Sequence, residues 1–232
     1  MRSDQHFLVD EKILDRICDY ARIKKDEKIL EIGAGTGNLT EKLLQRGAFV
    51  FAIEDDPLLM EKLKTRFEKE KDLTLIEGDA LKLQFPETNK VVSSLPFSIS
   101  RKITEKLLMQ DFKFAILVYQ REFAEKLTAK TNSPEYRFIS ALSQSCAEIE
   151  ILENIAPGAF EPVPSVVSAV VKLKQTKKAD KRYVEFLHSL FNHRNKRLGS
   201  TLKGHILEEF KDKRVFELSP DELIEAYTEF YA

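Results

Sequence analysis

The chain has 232 residues, with 37 Lys and Arg against 38 Asp and Glu for a formal net charge of −1, and 43% of it is hydrophobic. That supports a sizeable core and excludes disordered and fibrous classes; at roughly 150 residues per domain it allows one large domain with a small companion. The longest apolar run, Phe114 to Tyr119, is far short of the ~20 residues that cross a bilayer, so no membrane partner is expected. Met1 to Asp4 lead into polar sequence without a secretory apolar segment, and Cys18 and Cys146 have neither disulfide-framework nor metal-site spacing, which together predict a cytoplasmic protein without a metal centre.

In chain order, Lys28 to Glu31 reads as a buried strand running into Ile32-Gly33-Ala34-Gly35-Thr36-Gly37. Leu39, Leu43 and Leu44 then mark one face of a helix. Ala48 to Glu54 is a second strand, Leu58 to Phe67 a helix, Leu73 to Ile76 a third strand and Val91-Val92 a fourth. Ile103 to Met109 reads as helix and Phe114 to Tyr119 as a fifth, fully buried strand. Strands separated by helices of this length predict βαβ crossovers and a mostly parallel sheet covered on both faces. The runs at Ala147 to Leu152 and Val166 to Leu173 are placed as an antiparallel hairpin closing the sheet. After Leu173 the charged stretch QTKKADKR predicts a linker, with a boundary near residue 176. Three short amphipathic helices are expected beyond it, at Tyr183 to Phe191, Leu198 to Phe210 and Ser219 to Phe230; Ser219-Pro220-Asp221-Glu222 is a strong start signal for the last.

Three features point to a nucleotide-like cofactor. Gly33, Gly35 and Gly37 follow a strand and open a helix, where glycine permits a tight turn and close approach of backbone N–H groups to a ligand. Glu54 ends the second strand, where its carboxylate can accept hydrogen bonds from ribose hydroxyls, and Asp79, with Ala80, follows the third, where it can accept from an adenine amino group. Each acid alone is equally well an N-cap or a solvated loop residue; together, in order at successive strand ends, they favour a cofactor. G-x-G-x-G, with Asn38 where a dinucleotide fingerprint has its third glycine, favours S-adenosylmethionine over a nicotinamide.

The fourth strand ends in Ser94-Leu95-Pro96-Phe97. A polar side chain and carbonyls aimed by a proline-stiffened turn can accept the N–H groups of a planar amine such as adenine N6, and Phe97 can stack on the base. A second cluster, Pro157 to Ser165, holds three prolines and Phe160, which is either a core plug or a stacking face. The near-neutral average also conceals a cationic segment: Lys172 to Lys203 carries ten Lys and Arg against Asp180 and Glu185, a charge of +8 that leaves −9 elsewhere. That is a candidate phosphate-binding stretch or a solvated face.

With these residues in hand, the chain resembles the small-subunit rRNA adenine N6-dimethyltransferases of the KsgA type, with Erm methylases as relatives. Gln5-His6-Phe7-Leu8, EIGAGTGNLT at 31 to 40, AIE at 52 to 54, GDA at 78 to 80, SLPF at 94 to 97, VYQREFAEKL at 118 to 127, PGAFEPVPSVVSAVVKL at 157 to 173 and FNHRNK at 191 to 196 occur in family order. The short C-terminal part and wording such as VYQREF look most like the archaeal branch. The resemblance implies a Rossmann-like S-adenosylmethionine-dependent methyltransferase fold with a mostly parallel seven-stranded sheet at 1–176, and a small helical RNA-binding domain at 177–232. It implies that Gln5, His6, Leu8, Gly33, Gly35, Gly37, Glu54, Asp79, Ala80 and Ser94 bind S-adenosylmethionine. Ser94, Leu95, Pro96 and Phe97 would hold the target adenine, with Phe160 stacking on it. Lys177, Lys178, Lys181, Arg182, Arg194, Lys196 and Arg197 would contact RNA.

The implied reaction is dimethylation of two adjacent adenines near the 3′ end of small-subunit rRNA within a pre-ribosomal particle, by a monomer. Ser94 stands where the family usually has Asn, and Phe97 where it usually has Tyr, and a single hydroxyl offers fewer contacts than an amide. Two alternatives follow: a ribosome-assembly factor with weakened transfer, and an Erm-like enzyme acting on large-subunit rRNA.

Overall fold

The computed structural model describes residues 5–202 and 208–232. Seven strands form one sheet: β2 (Lys28–Ile32), β3 (Phe49–Glu54), β4 (Leu73–Glu77), β5 (Lys90–Ser94), β6 (Phe114–Gln120), β7 (Ala147–Ile155) and β9 (Ser168–Gln175). Their order is β4-β3-β2-β5-β6-β9-β7. The first five are mutually parallel, whereas β9 runs antiparallel to both β6 and β7. The expected β7–β9 hairpin is therefore present, and it enters the sheet with β9 inside and β7 at the edge. A separate pair joins β1 (Phe7–Leu8) to β8 (Phe160–Glu161), bringing Leu8 opposite Phe160.

Period-2 alternation divides the buried apolar residues of the central strands between two cores. Ile29, Val50, Val92, Ile116, Val118 and Val170 face a cluster completed by α1 (Glu11–Ala21), α2 (Asn38–Gln45) and α3 (Pro57–Arg66). Leu30, Ile32, Val91, Ala115, Leu117 and Val171 face the opposite cluster, which contains α4 (Ser100–Leu108), α5 (Arg121–Leu127), α6 (Phe138–Cys146), α7 (Lys181–Phe191) and α9 (Pro220–Phe230). Buried Cys18 and Cys146 belong to different clusters.

Helix starts follow from local chemistry. Asp10 caps α1 through Lys12 N and Ile13 N; Asp56 caps α3, with Pro57 at its first position; Ser219 and Glu222 form a reciprocal capping box on α9. Three helices have no counterpart among the expected elements. Of these, α1 has a regular apolar face, α5 is short, and α6 is buried on nearly every side. The sheet ends at Gln175 and α7 begins at Lys181, and the apolar cluster continues across the junction through Ala179, Tyr183 and Phe186.

The helix expected from Leu198 to Phe210 is a correction. Among the described residues of that span, only α8 (Leu198–Thr201) is helical, and Leu202 turns extended. The chain then doubles back: Leu198 N and Gly199 N donate to Lys213 O and Lys211 O, and Val215 N donates to Lys196 O. This pairing satisfies first-turn N–H groups of α8, which have no partner within the helix itself. Lys203 lies outside the described residues. Among those described, no helix is long and apolar enough to cross a membrane.

Candidate active site

The glycine turn opens at the carboxyl end of β2. Gly33, Gly35 and Gly37 all have positive φ, at 74°, 59° and 87°. A side chain at Gly35 would come within 2.8 Å of the Phe7 ring, and one at Gly37 within 2.6 Å of the Phe67 ring, so both conformation and space require glycine there. Gly33 N and Ala34 N donate to Ile53 O, which draws the turn onto the end of β3.

Glu54 holds this junction. Its Oε2 accepts Gly35 N at 2.7 Å, and its Oε1 accepts Asp55 N at 3.0 Å and Asp56 N at 2.9 Å. The side chain is buried, and burial raises its pKa against the lowering effect of those three N–H groups. A carboxylate has about four acceptor positions, so roughly one remains for a ligand hydroxyl. Asp79, past β4, is more open. Its Oδ1 accepts Leu81 N at 2.9 Å, and this bond lowers its pKa, keeping it an ionised acceptor.

At the end of β5, Ser93 Oγ is spent on Ile32 O at 2.5 Å, while half-buried Ser94 faces the cleft. Pro96 O accepts Ile99 N and Ser100 Oγ. That leaves the Leu95 carbonyl and the Ser94 hydroxyl as the turn's acceptors. The N-terminal segment closes the site from outside: His6 Nδ1 lies 2.7 Å from Pro162 O, its ring centroid is 5.8 Å from that of Phe97, and Asn38 Nδ2 donates to Leu8 O.

One cleft, with about 720 Å³ of empty space including its open mouth, is lined by Gln5, His6, Gly33, Gly35, Glu54, Asp79, Ala80, Ser94 and Pro96. Leu8 lines an adjoining pocket with His6 and Ser94. Gly37, Leu95, Phe97 and Phe160 line neither. Leu95 and Phe160 are each only 2% exposed. Of the two readings of Phe160, the structure has the core plug: the ring packs in the cluster behind β1, with no open face for a base.

The cationic stretch is also redistributed. Lys172 and Lys174 face Glu150 and Glu148 across the β7–β9 ladder, at 2.9 and 3.1 Å. Lys178 pairs with Asp111, Lys181 with Glu185 and Arg197 with Asp212. Arg194 donates to Pro134 O and Ser133 O beneath a contact with the Phe216 ring, so it braces a loop. Lys177, Arg182 and Lys196 are exposed, without an ion pair among the described residues.

Cations without an ion pair among the described residues occur instead beside the cleft. Arg101 and Lys102 open α4, and Arg137 precedes α6; all three are exposed. Arg101 lies 5.5 Å over the Phe138 ring, which stacks at 3.8 Å on His188, itself 3.2 Å from Glu105. Two grooves share Arg101 and His188, and one of them meets the main cleft at Ser98.

Residues 1–228 match the family model described as ribosomal RNA adenine dimethylase. The chain belongs to the ribosomal RNA adenine dimethylase family. Among its relatives, a probable ribosomal RNA small subunit methyltransferase A from Methanococcoides burtonii is 41% identical, covering 96% of this chain and 90% of the relative. One of the same description from Methanothermobacter thermautotrophicus is 39% identical, covering 95% and 87%. The crystal structure of a dimethyladenosine transferase from Plasmodium falciparum superposes with a TM-score of 0.85 at 26% identity, over 97% of this chain and 98% of that one. The 23S rRNA methyltransferase ErmE shares the fold, with a TM-score of 0.72 at 22% identity over 97% and 100%.

Within this dimethylase, two charged residues bordering the cleft, among others, were not singled out from sequence. Glu31 lines the adjoining pocket; it is 1% exposed, accepts Thr40 Oγ1 at 2.6 Å, and burial pushes its carboxyl up to about 8. An acid inside the apolar run Ile29 to Ile32 was the available signal. Lys106, on α4, touches the Asp79 loop and had no sequence signal beyond its place in a helix.

Proposed function

We propose that this dimethylase transfers methyl groups from S-adenosylmethionine to N6 of two adjacent adenines near the 3′ end of small-subunit rRNA, acting in the cytoplasm as a monomer. The observation carrying this reading is that acceptors for a nucleoside, Glu54 and Asp79, and acceptors for an amine, around Ser94 and Pro96, meet in one cleft from three strand ends. The donor set fits the cofactor: Glu54 retains an acceptor position for a ribose hydroxyl, and ionised Asp79 suits an adenine amino group. When bound, S-adenosylmethionine supplies a methyl group made electrophilic by its sulfonium.

The chain's own part is to bind, orient and exclude water. The Ser94 hydroxyl and the Leu95 carbonyl accept the N–H groups of adenine N6, which favours a pyramidal, nucleophilic nitrogen over the conjugated planar one. Half-buried Phe97, beside His6, gives the base an apolar face. Holding amine and methyl donor together supplies much of the rate by orientation. Phe160 serves as the anchor of β1, which keeps Gln5 to Leu8 over the cleft. We place the RNA backbone along Arg101, Lys102 and Arg137, with Lys177, Arg182 and Lys196 as outer contacts, because these cations have no acidic partner to displace among the described residues.

Incubation with S-adenosylmethionine and unmethylated small ribosomal subunits, followed by nucleoside mass spectrometry, tests the reading. Dimethyladenosine at adjacent adenines near the rRNA 3′ end is expected. Cofactor binding without any methylated adenosine would overturn it in favour of an assembly role.

A further inference from the structure

Lysine on the flank of a surface helix ordinarily extends its ammonium into water. Lys106 does not. Its Nζ donates to Ala80 O at 2.7 Å and to Leu83 O, and stands 4.1 Å from the centre of the Phe85 ring. Burial lowers its pKa, and the nearby Asp79 charge opposes that shift. Both carbonyls belong to the irregular segment between β4 and β5, and neither receives a backbone N–H among the described residues. The ammonium thus satisfies two loop carbonyls that flank Leu81, whose own N–H fixes the Asp79 carboxylate.

The other end of the same helix lies at the amine-binding turn. α4 starts at Ser100, whose Oγ donates to Pro96 O, and Thr104 Oγ1 donates to Ser100 O. Ile103, Leu107 and Leu108 seat the helix firmly in the core. A rigid element therefore runs from the turn holding the target base to the loop holding Asp79, and Lys106 is its attachment to that loop.

We infer that Lys106 is a positioning residue: it sets the Asp79 loop so that the Asp79 carboxylate reads the amino group of the cofactor's adenine. This rests on the reading of Asp79 proposed above. The test compares, by calorimetry, the affinity of S-adenosylhomocysteine with that of its analogue lacking the adenine amino group, in the wild type, Lys106→Met, Lys106→Arg, Asp79→Asn and the Lys106→Met/Asp79→Asn double variant. The wild type should prefer the amino form by about tenfold, the equivalent of one hydrogen bond. Asp79→Asn and Lys106→Met should each lose most of that preference, the double variant should lose no more than either, and Lys106→Arg should keep it.

A lysine that only stabilised the fold would weaken both ligands equally and leave the ratio alone. A preserved ratio in Lys106→Met beside a lost one in Asp79→Asn therefore overturns the inference while sparing the Asp79 reading. A preserved ratio in Asp79→Asn overturns both. Should Lys106→Met not fold, Lys106→Gln takes its place, since its shorter amide cannot serve both carbonyls as an ammonium does. Its ratio is judged in the same way.

Discussion

Glu31 is a residue whose ionisation opposes the fold. Its carboxyl, buried at the end of β2 with Thr40 as hydrogen-bond partner, titrates near about 8 in the folded protein against the ordinary carboxylate range in the unfolded chain. Between those values the folded state holds a proton that the unfolded state has released. This part of the stability is therefore highest at acid pH and falls as pH rises toward about 8. Glu31→Gln removes the slope while keeping a partner for Thr40. Relative to the wild type, the variant should gain on the order of 2–4 kcal/mol between about pH 5 and pH 8, read from urea midpoints at each pH. A constant difference across the range would show that Glu31 is not the titrating group. Glu54, one strand away, is also raised by burial, but three backbone N–H groups oppose that shift. At this scale the sequence located Glu54, Asp79 and Ser94 through their order at strand ends. It could not show that Glu54 is mostly committed to backbone, because those bonds exist only once β2 and β3 align. Lys106 was hidden for a similar reason: in KITEKLL it looks like any solvated lysine until the loop folds against it.

Among the elements, α9 could be read directly from its apolar period and its Ser-Pro start, whereas α1, with a regular apolar face and the Asp10 cap, was not among the expected helices. The strands were legible because parallel pairing buries both faces and leaves continuous apolar runs. α6 is buried on nearly every side although Ser140, Ser143, Gln144 and Ser145 are polar, so polarity in its sequence did not mark an exposed face. Leu198 to Phe210 had the period, but its helical turn ends at Thr201, where Leu202 becomes extended. Least legible was β1, two residues long, whose partner lies far along the chain. The same pair decides the role of Phe160. Phe160→Ala should cost about 3–5 kcal/mol of stability as a core deletion. It should also weaken cofactor binding, because β1 loses the ring behind Leu8. Isothermal titration together with thermal melting checks both; an unchanged melt with slowed transfer would restore the ring to base stacking.

For the whole molecule, charge is distributed by topology more than by sequence neighbourhood. The antiparallel β7–β9 ladder sets Glu148 and Glu150 opposite Lys174 and Lys172, and so cancels part of the segment that stands out in the linear chain. Neutralising Arg101, Lys102 and Arg137 together should reduce the slope of log affinity against log salt for RNA by about 2, at about 0.7 per phosphate contact on single strands. Neutralising Lys178, Lys181 and Arg197 should change it little, because each already has an acidic partner. Filter-binding titrations over a salt series distinguish the two sets, and the opposite ranking would return the RNA path to the C-terminal face. The β1–β8 pairing also has a consequence for synthesis on the ribosome. The glycine turn, Glu54, Asp79 and Ser94 are all made early, but the segment that covers them, tied to Asn38 through Leu8 O, gains its strand pairing only from residues near 160. A nascent chain paused before that point lacks β8, so the backbone pairing that draws Phe7 and Leu8 beside the cleft forms only once residues 160 and 161 have been made.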